Sequence, residues 1–197
     1  TMAFMLRGFD PILAVTLAPA DAFELWQIPL FILLGVLCGL MAWYFTSMNS
    51  RVGGFFKSID KQYKKWLWGG AILGILIFVF PPLYGEGYEG FTSLMHGNAQ
   101  ELFNNSLFYR FRDIDWVIIL FVIATMFFKV IAMSTTNAAG GVGGTFAPSL
   151  FVGAFTGASL ALVCNTLFGW EVSIVSFTLV GMAGVMSGVM NAPLTSI

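Results

Sequence analysis

Residues 134–148 read Ser-Thr-Thr-Asn-Ala-Ala-Gly-Gly-Val-Gly-Gly-Thr-Phe-Ala-Pro, an uncharged stretch set between two long apolar runs. A solvated loop ordinarily carries charge, so this one is expected to lie within the depth of a membrane, buried in protein. Irregular backbone at that depth is tolerated only where protein or a water-filled cavity satisfies its polar groups. Four glycines within positions 140–144, Gly140, Gly141, Gly143 and Gly144, loosen the backbone and remove Cβ atoms, so several N–H groups can converge on one small target. Pro148 fits the first turn of a following helix, where its missing N–H costs nothing, and Gly144, Thr145, Phe146 and Ala147 then fall at the helix entrance. Free amides and the positive end of the helix macrodipole together make an anion site that needs no basic side chain. Membrane transporters hold ions near the midplane with half-helices of this kind. Taken alone, the glycines would serve a flexible connector equally well.

The flanking runs set the fold class. The 197-residue chain is 58% hydrophobic and only 10% charged, with mean hydropathy +0.85. Water-soluble domains carry roughly a quarter charged residues, so an ordinary cytosolic enzyme is excluded and a chain solvated by lipid is expected. Five stretches approach the roughly 20 apolar residues that a spanning helix needs: 26–46, 66–84, 116–133, 148–168 and 172–190. The alternation of a membrane barrel is missing, which leaves an all-α, polytopic helical bundle. Gly153/Gly157 and Gly184/Gly188 repeat at spacings of four, which lets neighbouring backbones approach closely.

Charge sets orientation and partners. Segment 51–65 is expected to be a loop; it holds Arg51, Lys57, Lys61, Lys64 and Lys65, and an excess of basic residues marks the cytoplasmic side. Asp21 and Glu24 before the first span, and Glu86 and Glu89 after the second, would then lie outside. The same basic segment could meet anionic lipid on that side. A formal net charge of -1 leaves no basic surplus for nucleic acid. Cys38 and Cys164 each sit in an apolar run and read as small hydrophobic residues. His96 has no second ligand nearby, so no metal site is expected. No nucleophile elbow, zinc-binding helix or phosphate loop is present, so the chain is expected to be neither an enzyme nor a cofactor carrier. Lys129, inside the third span, is costly in lipid; it would either lend charge to an anion path or tie down backbone carbonyls, and the tie is the simpler reading.

The string Gly143-Gly144-Thr145-Phe146-Ala147-Pro148, followed by Gly153-Ala154, resembles the chloride-binding Gly-x-Phe-x-Pro signature in the second half of the CLC family of chloride channels and proton/chloride exchangers. Lys129 stands where that family carries a Lys or Arg before the signature, and Asn191-Ala192-Pro193-Leu194-Thr195 resembles its later Ala-Pro-Leu-Thr motif. The resemblance implies an inverted-repeat bundle, with this chain covering the end of the first repeat's last helix and most of the second repeat, final helices missing. It implies that the main-chain amides of Thr145 and Phe146 bind chloride, the transported ligand, and that the intact protein is a homodimer in a cell membrane. The Thr145 hydroxyl would add a donor or, more commonly for such a residue, bond the helix backbone. The family's serine, tyrosine and gating glutamate motifs have no counterpart here, and Glu86 is not offered as the gate. The competing expectations are a membrane scaffold without an ion pathway and a secondary transporter for another anion.

Overall fold

A computed structural model describes residues 25–85, 115–170 and 172–191, which are helical and contain no strand. Among the described residues there are five α-helices: α1 (Ile28–Lys57), α2 (Gln62–Val79), α3 (Asp115–Ala138), α4 (Phe146–Phe168) and α5 (Ile174–Met190). Three of them, α1, α3 from Trp116 onward and α4, are long and apolar enough to cross a membrane, whereas α5 is an apolar helix of 17 residues. α2 falls short because its first turn is polar and its last is closed by the 3-10 turn Pro81–Leu83. The proline ring removes a donor and ends the helix.

Several ends differ from those expected. Segment 51–65 is not a loop: α1 continues through Arg51 to Lys57 and α2 begins at Gln62, so only residues 58–61 join them. Hydropathy marks the lipid boundary, while Lys and Arg are good helix formers and let a helix extend past it. α3 likewise runs on through Ser134–Thr135–Thr136–Asn137 to Ala138, so the irregular backbone is confined to residues 139–145. α4 starts at Phe146, which still leaves Pro148 in the first turn.

α4 is the central helix. Its residues from Phe151 to Leu160 are buried on every side, against α5, α3 and α1. The α4–α5 crossing is backbone on backbone. A Cβ on Gly153 would meet Gly181 O at 2.5 Å and Met182 Cα at 2.6 Å, and one on Gly157 would collide with Phe177 O. Gly184 and Gly188 face α1 instead, where added Cβ atoms would meet Cys38 Sγ at 2.9 Å and Ala42 Cβ at 2.6 Å. Both glycine pairs therefore permit close packing, each against a different neighbour. α1 contributes a stripe of Leu30, Leu34, Cys38, Met41, Ala42 and Phe45 at helical spacing.

The pairings also fix direction. Phe31 stacks on Phe177 at 4.5 Å, Cys38 abuts Gly184 and Ala42 abuts Gly188, so α1 and α5 run parallel in constant register. α4 runs antiparallel to α5, and α3 antiparallel to α4, with Thr156 Oγ1 donating to Met126 Sδ at 3.2 Å. The C-terminus of α3, the N-terminus of α4 and the C-terminus of α5 therefore meet at the end of the bundle from which α1 runs on to its basic residues.

Candidate anion site

The turn after α3 divides the glycines between two tasks. Gly140, at φ +100°, donates its N–H to Asn137 O at 3.3 Å, and Gly141 donates to Thr136 O at 2.9 Å. That pair of bonds closes the helix as a Schellman motif, and the left-handed conformation it needs favours glycine. The amides of Gly140 and Gly141 are thus committed to capping α3, which corrects the expectation that the whole glycine run is free to converge on one target. The side chain of Asn137 lies against the next glycine, with its Oδ1 2.6 Å from where a Gly143 Cβ would be. Residues 140–144 are exposed in this chain, so the expected burial of the bend in protein is not met by the described residues.

The α4 mouth follows. Thr145 is the N-cap, at φ −90° and ψ −14°, and its side chain makes no capping bond. Ser149 N–H donates to Thr145 O at 3.0 Å, which begins the helical ladder, and Pro148 has no N–H. No hydrogen bond among the described residues uses the N–H groups of Gly144, Thr145, Phe146 or Ala147. The structure thus brings Gly143, Gly144, Thr145, Phe146, Ala147 and Pro148 together at the positive end of a 23-residue helix. The Thr145 hydroxyl does not bond the helix backbone, as the sequence suggested; it reaches Met190 Sδ at 3.9 Å. Met190, the last residue of α5, is a neighbour that the sequence did not single out.

That contact sets the mouth beside α1: because Ala42 lies level with Gly188, Met190 lies level with about Tyr44.

Lys129 is buried, 4% exposed, and its Nζ donates to Leu83 O at 3.1 Å and Gly85 O at 2.8 Å. It also stands 4.8 Å from the Phe151 ring centroid. The reading as a tie to backbone carbonyls holds: the ammonium pins the turn after α2 onto α3. Lys129→Met is expected to lower stability by about 2 kcal/mol through the acceptors left without this donor, with Lys129→Arg recovering most of it in thermal unfolding. An unchanged melting temperature with weakened anion binding would assign the lysine to the anion path instead.

Other residues weighed from sequence have plainer places. Cys38 and Cys164 are free and buried. Among the described residues no group of three or more His, Cys, Asp or Glu could hold a metal. Asn191 caps α5 at φ 52°. The rest of the string 191–195, together with Asp21, Glu24, Glu86, Glu89 and His96, lies outside the described residues. Ser134, buried on α3 with no hydrogen-bond partner for its hydroxyl among the described residues, carried no signal in the sequence.

A glycine turn, a helix mouth whose amides donate to no described residue and a buried lysine on α3 before them are arranged in the order the signature implied. The model of the voltage-gated chloride channel family matches residues 1–197. The chain belongs to that family. Among curated members, it is 30% identical over 186 residues to chloride channel protein CLC-e of Arabidopsis thaliana, covering 87% of this chain and 24% of that protein. It is 30% identical to chloride channel protein CLC-f of the same plant over 93% of this chain and 23% of that protein. It is 29% identical to the H(+)/Cl(-) exchange transporter ClcA of Salmonella typhi over 98% of this chain and 38% of that protein. The chain thus spans about a quarter to two-fifths of the length of these relatives. No solved structure matches it. Membership makes the chain part of an integral membrane protein, in keeping with its three long apolar helices.

Proposed function

We propose that the α4 mouth holds chloride, or a similar small anion, during transport across a cell membrane, with the main-chain N–H groups of Thr145 and Phe146 as donors and Gly144, Ala147 and Pro148 shaping the mouth. The observation that carries this reading is the run of amides from Gly144 to Ala147 that no described residue accepts from, at the positive end of α4. Anions are stabilised at such a terminus without any basic side chain. The basic end would face the cytoplasm by the positive-inside rule.

The relatives include both chloride channels and a proton/chloride exchanger, and the same amides serve either mode. The remaining walls of the site, over the exposed residues 141–144, would come from the longer protein, working as a homodimer. No enzymatic step is assigned. Crystals of the full-length protein grown in bromide are expected to show anomalous density in hydrogen-bond contact with the Thr145 and Phe146 nitrogens. A scaffold without an ion pathway would show none. A transporter for a bulkier anion would show density there only with its own substrate, and chloride would fail to compete in flux measurements.

A further inference from the structure

α2 presents two different faces in its first turns. Gln62, Trp66 and Gly69 point at the turn that closes α3. A Cβ on Gly140 would meet Gln62 Nε2 at 2.8 Å and Trp66 Nε1 at 3.4 Å, and one on Gly69 would meet Ala139 Cβ at 2.5 Å. Lys64 and Trp68, spaced i, i+4, lie on the other side; Lys61 is the extended residue just before the helix, and the half-buried Lys65 borders the Gln62/Gly69 face. Lys61, Lys64 and Trp68 are exposed, as are Arg51 and Lys57 at the end of α1. Asp60 is the single carboxylate between positions 51 and 65, against five basic residues.

Two further features say what this face meets. Exposed aromatic rings stand among the charges: Phe55, Tyr63 and Trp68 are each more than half exposed, and Lys61 Nζ stands 5.9 Å from the Tyr63 ring centroid. Tyrosine and tryptophan gather at the headgroup level of a bilayer, where an amphipathic ring is half solvated. The apolar part of α2, residues 66–79, is also only about 21 Å long at the helical rise, short of a hydrocarbon layer of about 30 Å. Its polar first turn therefore lies among headgroups. A face that served only to concentrate a dissolved anion would need the lysines but not the rings.

We propose that the basic cluster Lys61, Lys64 and Lys65, with Trp68, at the start of α2 binds the headgroups of anionic phospholipids, and that Gln62 and Trp66, across the helix from Lys64 and Trp68, couple this binding to the Gly140 turn leading to the α4 mouth. The coupling rests on the anion-site reading; the lipid site stands without it. Gly140 is the point of contact because its conformation, φ +100°, leaves no room for a compensating side chain.

The test uses the full-length protein. Phosphatidylglycerol binding is titrated by native mass spectrometry at low ionic strength, and anion flux is measured in phosphatidylcholine vesicles with and without phosphatidylglycerol. Replacing Lys61, Lys64 and Lys65 by Gln is expected to weaken phosphatidylglycerol binding by about fivefold for each lysine removed, with phosphatidylcholine binding unchanged. Undiminished phosphatidylglycerol binding in the triple variant would overturn the lipid site. If flux in that variant also fell equally in both vesicle types, the lysines would be concentrating the transported anion instead. Gln62→Ala and Trp66→Phe are expected to keep phosphatidylglycerol binding while removing the dependence of flux on it. Wild-type flux that is equal in both vesicle types would overturn the coupling. Absence of anion flux in every vesicle would sink the transport reading, and the lipid titration would still decide the lipid site.

Discussion

Gly157→Ala is expected to destabilise the full-length protein by about 3 kcal/mol or more, the upper end of what overpacking costs. The added Cβ would collide with Phe177 O and lie 2.6 Å from Phe177 C and 3.0 Å from Thr178 Cα. These are backbone atoms, which cannot rotate away as a side chain does. Relief requires α4 and α5 to separate, and the same crossing is sealed one turn earlier by Gly153 against Gly181. Gly70→Ala and Gly74→Ala on α2 are the controls, since nothing lies within 4 Å of an added Cβ at either position. Alanine is the better helix former, so each control is expected to be neutral or stabilising by up to about 1 kcal/mol. Thermal unfolding in detergent separates the two classes; equal melting temperatures for Gly157→Ala and Gly74→Ala would refute the close crossing. Function should follow stability here, because α5 carries Met190 to the Thr145 hydroxyl and so helps seat the α4 mouth.

The glycine spacing that foretold this crossing also shows where sequence reading stops. Gly153/Gly157 and Gly184/Gly188 were legible as close-packing pairs, because a repeat of four puts both members on one helix face. Which neighbour each pair meets was not legible: the first faces α5 and the second faces α1, and chain order says nothing of that choice. Helix ends were misread where charge was equated with loop. Arg51 and Lys57 remain helical, since hydropathy reports lipid exposure and not backbone conformation. The glycine bend and the helix start after it were legible as a whole, but the division of the glycines was not. Gly140 and Gly141 cap α3, a consequence of where that helix ends, and the stop lies five residues later than the apolar run suggested. Lys129 could be read as needing a partner, whereas its acceptors, Leu83 O and Gly85 O, belong to a turn 44 to 46 residues away in sequence.

An amide-to-ester substitution at Phe146, replacing its N–H by oxygen, is expected to weaken anion affinity of the full-length protein by about 10- to 100-fold. This range corresponds to the roughly 1.5–3 kcal/mol of a hydrogen bond to a charged partner. The substitution also weakens the Thr145 carbonyl, which accepts from Ser149 N–H at 3.0 Å, so a fold control is needed in thermal unfolding; the Phe146 N–H itself donates to no described residue and lies before the first amide of the helical ladder. Proline at 146 would also delete the donor, but it is the poorer probe. Thr145 sits in the helical region at φ −90° and ψ −14°, and a following proline drives its predecessor toward extended backbone. The ester leaves Thr145 where it is. Thr145→Val is the counterpart: its hydroxyl is directed at Met190 Sδ, so its loss should change affinity by less than about twofold, well below the cost of a lost charged hydrogen bond. Calorimetric titration with chloride reads both variants. Equal losses would move the donor from main chain to side chain, and an ester that binds chloride like the wild type would remove Phe146 from the site and with it the main-chain mechanism at α4.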